Sequence, residues 1–380
     1  MKEDGRDLRL DFFRGLALWF IFVNHIPGNQ FAWLTSRNYG LSDASEVFVF
    51  ISGYTSALVY AKVYARSGWG LAAARVLDRC WTLYLTYIFL FIAFTAQVAY
   101  TTRAFDNPLF AEEMGIAGFF ADPAVALVQA LLLKFRPANL DILPLYIVLL
   151  LAVPLLLPAL VRRPVALLAA SGALYVATRH LHWNLPTYPE GGEWLFNPFA
   201  WQFLFVLGGV LQRFPGASAA LTRPRPAVLV LAALYVAASL VLALSWQFAT
   251  LGALMPPRLG EVLYPISKTD LDPLRLVHFL ALAYLVLQLA RPDSAWLRWR
   301  AVAPVILCGR QSLHVFCLGI FLSFAAQTIL VQVNGSLFVQ FAVTLVGITT
   351  MILTARVLTW YQTAGRPPRT AAPALGDSGA

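Results

Sequence analysis

Residues 10 to 28, LDFFRGLALWFIFVNHIPG, decide the fold. From Phe12 to Val23 the run is apolar apart from Arg14, and the charged residues Lys2, Glu3, Asp4, Arg6, Asp7 and Arg9 precede it. A bilayer core about 30 Å thick takes about 20 such residues as a spanning helix. Asp11 and Arg14 lie inside the run and no small-residue cleavage site follows it. It therefore reads as a retained first membrane helix and not a signal peptide. The helix carries three ionisable side chains, Asp11, Arg14 and His25, and such groups are costly in lipid unless paired or put to use. Arg14 and His25 are eleven positions apart, nearly three full turns, so they share one face about 16 Å apart along the axis. Two readings of each stand open: Arg14 as a functional cation or an ordinary membrane-surface anchor, and His25 as a reactive imidazole or a packed histidine bonded to a neighbouring helix.

Working outward, apolar runs recur near residues 43 to 64, 77 to 101, 139 to 160, 164 to 181, 196 to 213, 226 to 248, 271 to 290, 304 to 332 and 336 to 361. The 380 residues are 59% hydrophobic and only 12% charged, too little polar surface to cover a soluble globule of this size. The expected fold is an all-α, polytopic membrane bundle of about ten transmembrane helices. Residues 1–361 form its one membrane domain, and residues 362–380, rich in Pro, Ala and Gly, form a disordered cytoplasmic tail. Val161-Arg162-Arg163-Pro164 predicts a tight hairpin, and Pro123 to Phe135 a short interfacial or re-entrant helix.

A net charge of +9 could point to nucleic acid, but its distribution follows membrane topology instead. With the N-terminus in the cytoplasm, 19 of the 28 Lys and Arg residues fall on the inside, and every inside connection carries at least two. Both termini are then cytoplasmic, with the lipid bilayer as the partner and no nucleic acid. Cys80, Cys308 and Cys317 all lie in apolar runs, with no disulfide framework or metal motif. His180 and His182, beside Trp183 and Trp194, read as an interface belt and not as metal ligands.

The second helix opens with Asp43-Ala44-Ser45-Glu46 and continues through Ser52-Gly53-Tyr54. Its entry lies at the depth of the first helix's exit, so Glu46 is expected to approach His25. A carboxylate there would orient the imidazole and raise its basicity, the pairing a general base needs. Ser52 and Gly53 would let a ligand approach the backbone, or would serve small-residue helix packing.

Arg14, ten residues, then His25, followed by an aromatic-rich helix ending in Ser52-Gly53-Tyr54, resembles the hallmark of acyltransferase family 3, membrane proteins that acylate extracytoplasmic carbohydrates. Leu10 to Ala17, Glu46 to Tyr54 and Gly309-Arg310-Gln311-Ser312-Leu313-His314-Val315-Phe316 look closest to its OpgC branch, which adds succinyl groups to osmoregulated periplasmic glucans. The specific motifs cover about residues 8 to 60 and 308 to 318. Many members carry a further esterase-like domain, for which this chain has no room.

The resemblance implies a bacterial inner-membrane acyltransferase with a cytoplasmic acyl-CoA donor, succinyl-CoA by that analogy, a periplasmic glucan acceptor and no permanently bound cofactor. His25 and Glu46 would be catalytic. Arg14, Arg75 and Arg79 would hold the phosphates of CoA, although Arg75 and Arg79 also serve as the positive-inside signal. Arg310 would meet the donor, including the succinyl carboxylate, or sit in a structural ion pair. Asp11, Asn24, Ser52, Tyr54, His278, Ser312 and His314 are the remaining candidates for contact with substrate, with Arg275 beside His278 read as a snorkelling interfacial residue. A transporter or flippase is the alternative that ionisable residues in the first and ninth helices would also permit. The asymmetry of the two halves argues against it.

Overall fold

The computed structural model describes residues 7–214, 216, 221–292 and 294–364. Among them the architecture is all-helical. The main helices are α1 (Leu8–Asn24), α2 (Ala44–Ala104), α3 (Ile142–Arg162), α4 (Pro164–Leu181), α5 (Pro198–Arg213), α6 (Pro226–Ser245), α7 (Pro273–Leu289), α8 (Ala303–Arg310), α9 (Ser312–Gln332) and α10 (Leu337–Ala364). The start signals are local. Asp7, Asn197 and Asp272 accept hydrogen bonds from backbone N–H groups in the first turns of α1, α5 and α7, and Asp43 with Glu46 forms a reciprocal capping box on α2. Proline stands in the first turn of α4, α5, α6 and α7, where its missing N–H costs nothing.

Five helices, α2, α3, α6, α9 and α10, are long and apolar enough to cross a membrane by length and composition. The other expected runs give helices of 17 (α1), 18 (α4), 16 (α5) and 17 residues (α7). Two expected runs, 43 to 64 and 77 to 101, merge into α2, which is interrupted at Gly68, where φ is 77° and ψ 179°. Glycine carries that positive φ without the Cβ penalty other residues meet. Thr55 and Arg79 lie 24 residues apart, about 36 Å in a straight helix, yet both line one cavity. The chain therefore folds back at Gly68, and α2 contributes two antiparallel arms.

The run 304 to 332 is broken at Gln311, whose backbone (φ −102°, ψ 33°) leaves the helix and separates α8 from α9. Its side-chain amide donates to Thr359 Oγ1 at 3.1 Å and Gln362 Oε1 at 2.8 Å on α10, which holds the break in place. The hairpin at Arg163 and the short helix Pro123–Leu131 appear as the sequence predicts, the latter with only Ala126 and Ala130 buried. The helix α10 runs on to Ala364, past the expected start of the tail at 362, and residues 365–380 lie outside the described set.

Helix crossings rely on glycine where backbones touch. A Cβ on Gly15 would stand 1.9 Å from the carbonyl oxygen of Val305, and one on Gly309 would stand 1.8 Å from that of Asp11. Likewise a Cβ on Gly53 would meet Phe205 O at 1.9 Å. Gly53 thus serves close packing of α2 on α5, and α2 is not unwound there. Around these crossings a core that includes Phe22, Tyr87, Phe91, Phe94, Trp201 and Phe324 excludes solvent and lipid.

Candidate functional site

The polar residues collect at the two ends of α1. At the Arg14 end, α1, both arms of α2, α3 and the start of α9 enclose a cavity of about 130 Å³. Arg14, Ser52, Thr55, Arg79, Tyr146 and Ser312 supply its polar lining, and Phe48, Leu83, Leu143, Leu313 and Phe316 the apolar part. Two guanidinium groups and four hydroxyl-bearing residues face it. Arg14 donates from Nη2 to Thr55 Oγ1 at 3.1 Å, and Thr55 in turn donates to the carbonyl of Ile51 at 2.8 Å. The break at Gln311 turns Ser312 and Leu313 into the first turn of a helix whose leading N–H groups have no partner within it. The positive end of the α9 dipole therefore adds to the two arginines at this wall.

Four residues expected at the site from sequence, Arg14, Arg79, Ser52 and Ser312, meet here although they lie on different helical segments. Several others do not. Arg75 is exposed and does not line the cavity, because one turn before Arg79 the arm of α2 has already left it. Arg310 lies 3.6 Å from Asp11 Oδ2, and Asp11 is 2% exposed, so the structure takes the ion-pair alternative for both residues. An Asp–Arg pair across the α1/α8 crossing removes the isolated-charge cost each would otherwise incur. His314 is exposed, and Tyr54 is half-buried near Asp7 and Arg9. Neither lines the cavity.

At the other end of α1, His25 is the C-cap residue and its backbone N–H closes the last turn on Ile21 and Phe22. Its Nδ1 is buried and has no hydrogen-bond partner among the described residues. Buried polar atoms are almost always satisfied, so an exception marks a strained or functional position. Asn24 Oδ1 accepts from Thr35 Oγ1 at 2.8 Å, which fastens the following loop to the helix end.

The expected pairing of His25 with Glu46 is not what the structure contains. Glu46 is fully buried; its Oε1 accepts from Arg275 Nε at 2.9 Å and Nη2 at 2.7 Å, and its Oε2 from the Asp43 N–H at 2.8 Å. The capping box holds one oxygen and the arginine the other, and the His25 Nδ1 has no hydrogen bond to either among the described residues. The charges of Asp43, Lys268 and Arg37 act on the His25 ring. Asp43 Oδ2 accepts from Lys268 Nζ at 2.7 Å and lies 3.4 Å from Arg275 Nη2. Arg275 is thus a buried linchpin, with a side chain 12% exposed, and does not snorkel. His278 is also buried, with Nδ1 2.7 Å from Ser42 Oγ and 3.2 Å from the Ser42 N–H that donates to it.

Farther along this end, Arg136 stacks 4.1 Å over Trp194 and lies 3.7 Å from Asp141. Burial pushes its guanidinium below the usual range, against the opposing pull of Asp141 and Tyr87. Lys268 is 5.2 Å from the centre of the Phe196 ring.

Thr55, Tyr146, Asp43 and Lys268 were not singled out as site residues by sequence. Thr55 stands three positions after Ser52, one turn on the same face, which is a usable signal. Asp43 belongs to an Asp-x-x-Glu box before an apolar run, the mark of a helix start. Tyr146 and Lys268 have no local signal, since their roles depend on which helices lie beside them.

Residues 6–363 match the model of the family described as OpgC protein. No curated protein and no solved structure matches the chain. A match that runs from the start of the first helix to the end of the last takes in both clusters and every helix between them, and on that ground the chain belongs to the OpgC protein family.

Proposed function

We propose that this protein is a bacterial inner-membrane O-acyltransferase, of the acyltransferase family 3 type, that moves a succinyl or similar acyl group from cytoplasmic acyl-CoA to hydroxyls of osmoregulated periplasmic glucans. Membership of the OpgC family supports the glucan acceptor. The observation that carries the reading is the convergence of Arg14, Arg79, Ser52 and Ser312 on one cavity, while His25 ends the same helix about 16 Å away. That spacing separates a charged anchor for the donor from a reacting centre, as a long flexible thioester arm requires.

In this mechanism Arg14 and Arg79 anchor the donor's phosphates, and the arm runs along α1 toward His25. The acceptor hydroxyl donates its proton to the free Nδ1 of His25 as its oxygen adds to the thioester carbonyl. The C–O bond forms, the C–S bond breaks, and the imidazolium returns the proton to the departing thiolate. Glu46 has no part in the proton transfer. It secures Arg275, and through Asp43 the entry to α2, so that the base is held at the helix end. Arg310, already paired with Asp11, is not assigned to the succinyl carboxylate.

The direct test is glucan-dependent release of thiol from succinyl-CoA by the purified protein in lipid nanodiscs, with mass spectrometry of the glucan. A succinyl increment on the glucan, matched to the thiol released, is the expected result. Thiol release that glucan does not change, with no acylated product, would overturn the proposal. A reporter fused to the C-terminus should read cytoplasm, and a periplasmic signal would invert the donor and acceptor sides.

A further inference from the structure

Of the arginines that stand beside carboxylates at the His25 end, one is left open. Arg275 reaches Glu46 at 2.7 and 2.9 Å and Arg179 reaches Asp272 at 2.9 Å, all closed hydrogen bonds. Arg136 Nε stops 3.7 Å from Asp141 Oδ1, beyond hydrogen-bond range. Its side chain is only 3% exposed, and Nε and Nη1 are buried with no hydrogen-bond partner among the described residues. Asp141 is uncommitted in the same way. It stands at the N-cap of α3, but its carboxylate does not bond the first turn, unlike Asp7, Asp43 and Asp272 at the starts of α1, α2 and α7. Buried donors and acceptors are almost always satisfied, so a guanidinium and a carboxylate left open toward each other mark a functional position.

The gap is held by its surroundings. Tyr87 Oη donates to the carbonyl of Phe135 at 2.9 Å, the Tyr188 N–H donates to that of Lys134 at 3.0 Å, and Pro137 follows, so the backbone around Arg136 is clamped between α2 and the loop 183 to 197. The guanidinium stacks 4.1 Å over Trp194 of that loop, which fixes its plane. The chemistry of a ligand that fits follows from the two flanking groups. A guanidinium only donates and a carboxylate only accepts, so an anion would satisfy the first and be repelled by the second, and a cation the reverse. A hydroxyl donates and accepts at once, and serves both. Approach is from the side of Asp141 and Lys268, whose side chains are 16% and 34% exposed. The charge of Lys268 acts on Asp141 and on the His25 ring, so the open pair and the base share the field of one cation.

We infer that Arg136 and Asp141 form an acceptor subsite, in which one sugar hydroxyl of the glucan accepts from Arg136 and donates to Asp141 while another is presented to His25. The inference rests on the acyltransferase reading above and adds to it the residues that select a neutral, hydroxyl-rich acceptor. Both residues bind substrate, and neither enters the proton transfer.

The purified protein in lipid nanodiscs, with succinyl-CoA and unsubstituted periplasmic glucan, tests this. Arg136→Gln should raise the KM for glucan by about 10-fold or more, the worth of one charge-assisted hydrogen bond, and Asp141→Asn should do the same. In both variants kcat and the KM for succinyl-CoA should stay within about 2-fold of the unaltered protein, as expected when only acceptor binding is lost. Either single change leaves one buried charge without its neighbour, so the double variant R136Q/D141N is the second arm. It carries no isolated charge, should unfold close to the midpoint of the unaltered protein, and should bind glucan about 10-fold or more weakly by calorimetry without donor. Lower unfolding midpoints in the single variants, with glucan KM and glucan binding unchanged throughout, overturn the inference and make the pair purely structural. A rise confined to the KM for succinyl-CoA overturns it too, and reassigns Arg136 to the acyl carboxylate. Failure of the unaltered protein to acylate glucan sinks the acyltransferase reading instead, while calorimetry with glucan still decides the subsite.

Discussion

Both ends of α1 gather cations, but at the Arg14 end two of them turn toward a cavity. At the His25 end Lys268 and Arg275 are tied to Asp43 and Glu46, and Arg179 to Asp272, so charge is used to fasten loops to helix starts. At the Arg14 end two arginines face a cavity, beside the hydroxyls of Ser52, Thr55, Tyr146 and Ser312. Buried ion pairs cost desolvation that their attraction repays only with good geometry, and breaking one leaves an uncompensated charge. A cavity that two guanidinium groups and four hydroxyls line is instead suited to an anion that arrives and leaves. One end is built to be held, the other to be filled, and the free Nδ1 of His25 is the exception that gives the first end its chemistry.

Substitutions at the two ends sharpen that contrast. The largest effect belongs to His25→Ala, which should lower glucan acylation by about 10²- to 10⁴-fold, the usual range for a general base, with membrane insertion and donor binding unchanged. Retained turnover would make the His25 end wholly structural. Next comes Glu46→Ala, which removes the closer of the two carboxylates that hold Arg275 and leaves Asp43 at 3.4 Å, and should cost about 1–3 kcal/mol of stability, read as a lower detergent-unfolding midpoint. Because Glu46 does not contact His25, the fraction that remains folded should turn over close to normally; a turnover loss as deep as that of His25→Ala would restore Glu46 to the proton pathway. Arg79→Ala should raise the KM for succinyl-CoA by about 10-fold or more, the worth of one charge-assisted contact, while the KM for glucan stays put. The reverse pattern would exchange the roles of the two ends. Arg75→Ala is the smallest: an exposed cation off the cavity should change either KM by less than about 2-fold, within the reach of a solvated charge. A change equal to that of Arg79→Ala would show that the donor extends along the outer face of α2.

Much of this was legible in the residues themselves. The apolar runs, several with proline or Asp/Asn starts, mark most of the main helices, because a helix in lipid must satisfy its own backbone and so declares itself locally. The shared face of Arg14 and His25 follows from helical geometry alone. The resemblance carried by the segments around Arg14, His25 and Ser52-Gly53-Tyr54 agrees with the family match across residues 6–363. The partners of the charges were not legible. Glu46 looked like the neighbour of His25 because both lie at the same depth, but depth does not fix the rotation of α2, and a capping box with Arg275 claims the carboxylate. Arg275 read as a surface residue for the same reason. Gly68 was not distinguishable from other glycines as the point where α2 doubles back, since its demand is a backbone angle and not a pattern.

The sequence by itself determined that this is a helical protein for lipid, where most of its main helices begin, and that α1 carries a cation and an imidazole on one face. These follow from hydrophobicity and helical period, which act over neighbouring residues. Only the tertiary structure decided that Arg79 joins Arg14 while Arg75 does not, that Arg310 is spent on Asp11, and that Glu46 is bonded to Arg275. Those outcomes depend on how helices distant in sequence rotate and cross, and side-chain pairing at a few ångströms is set by that packing rather than by local pattern.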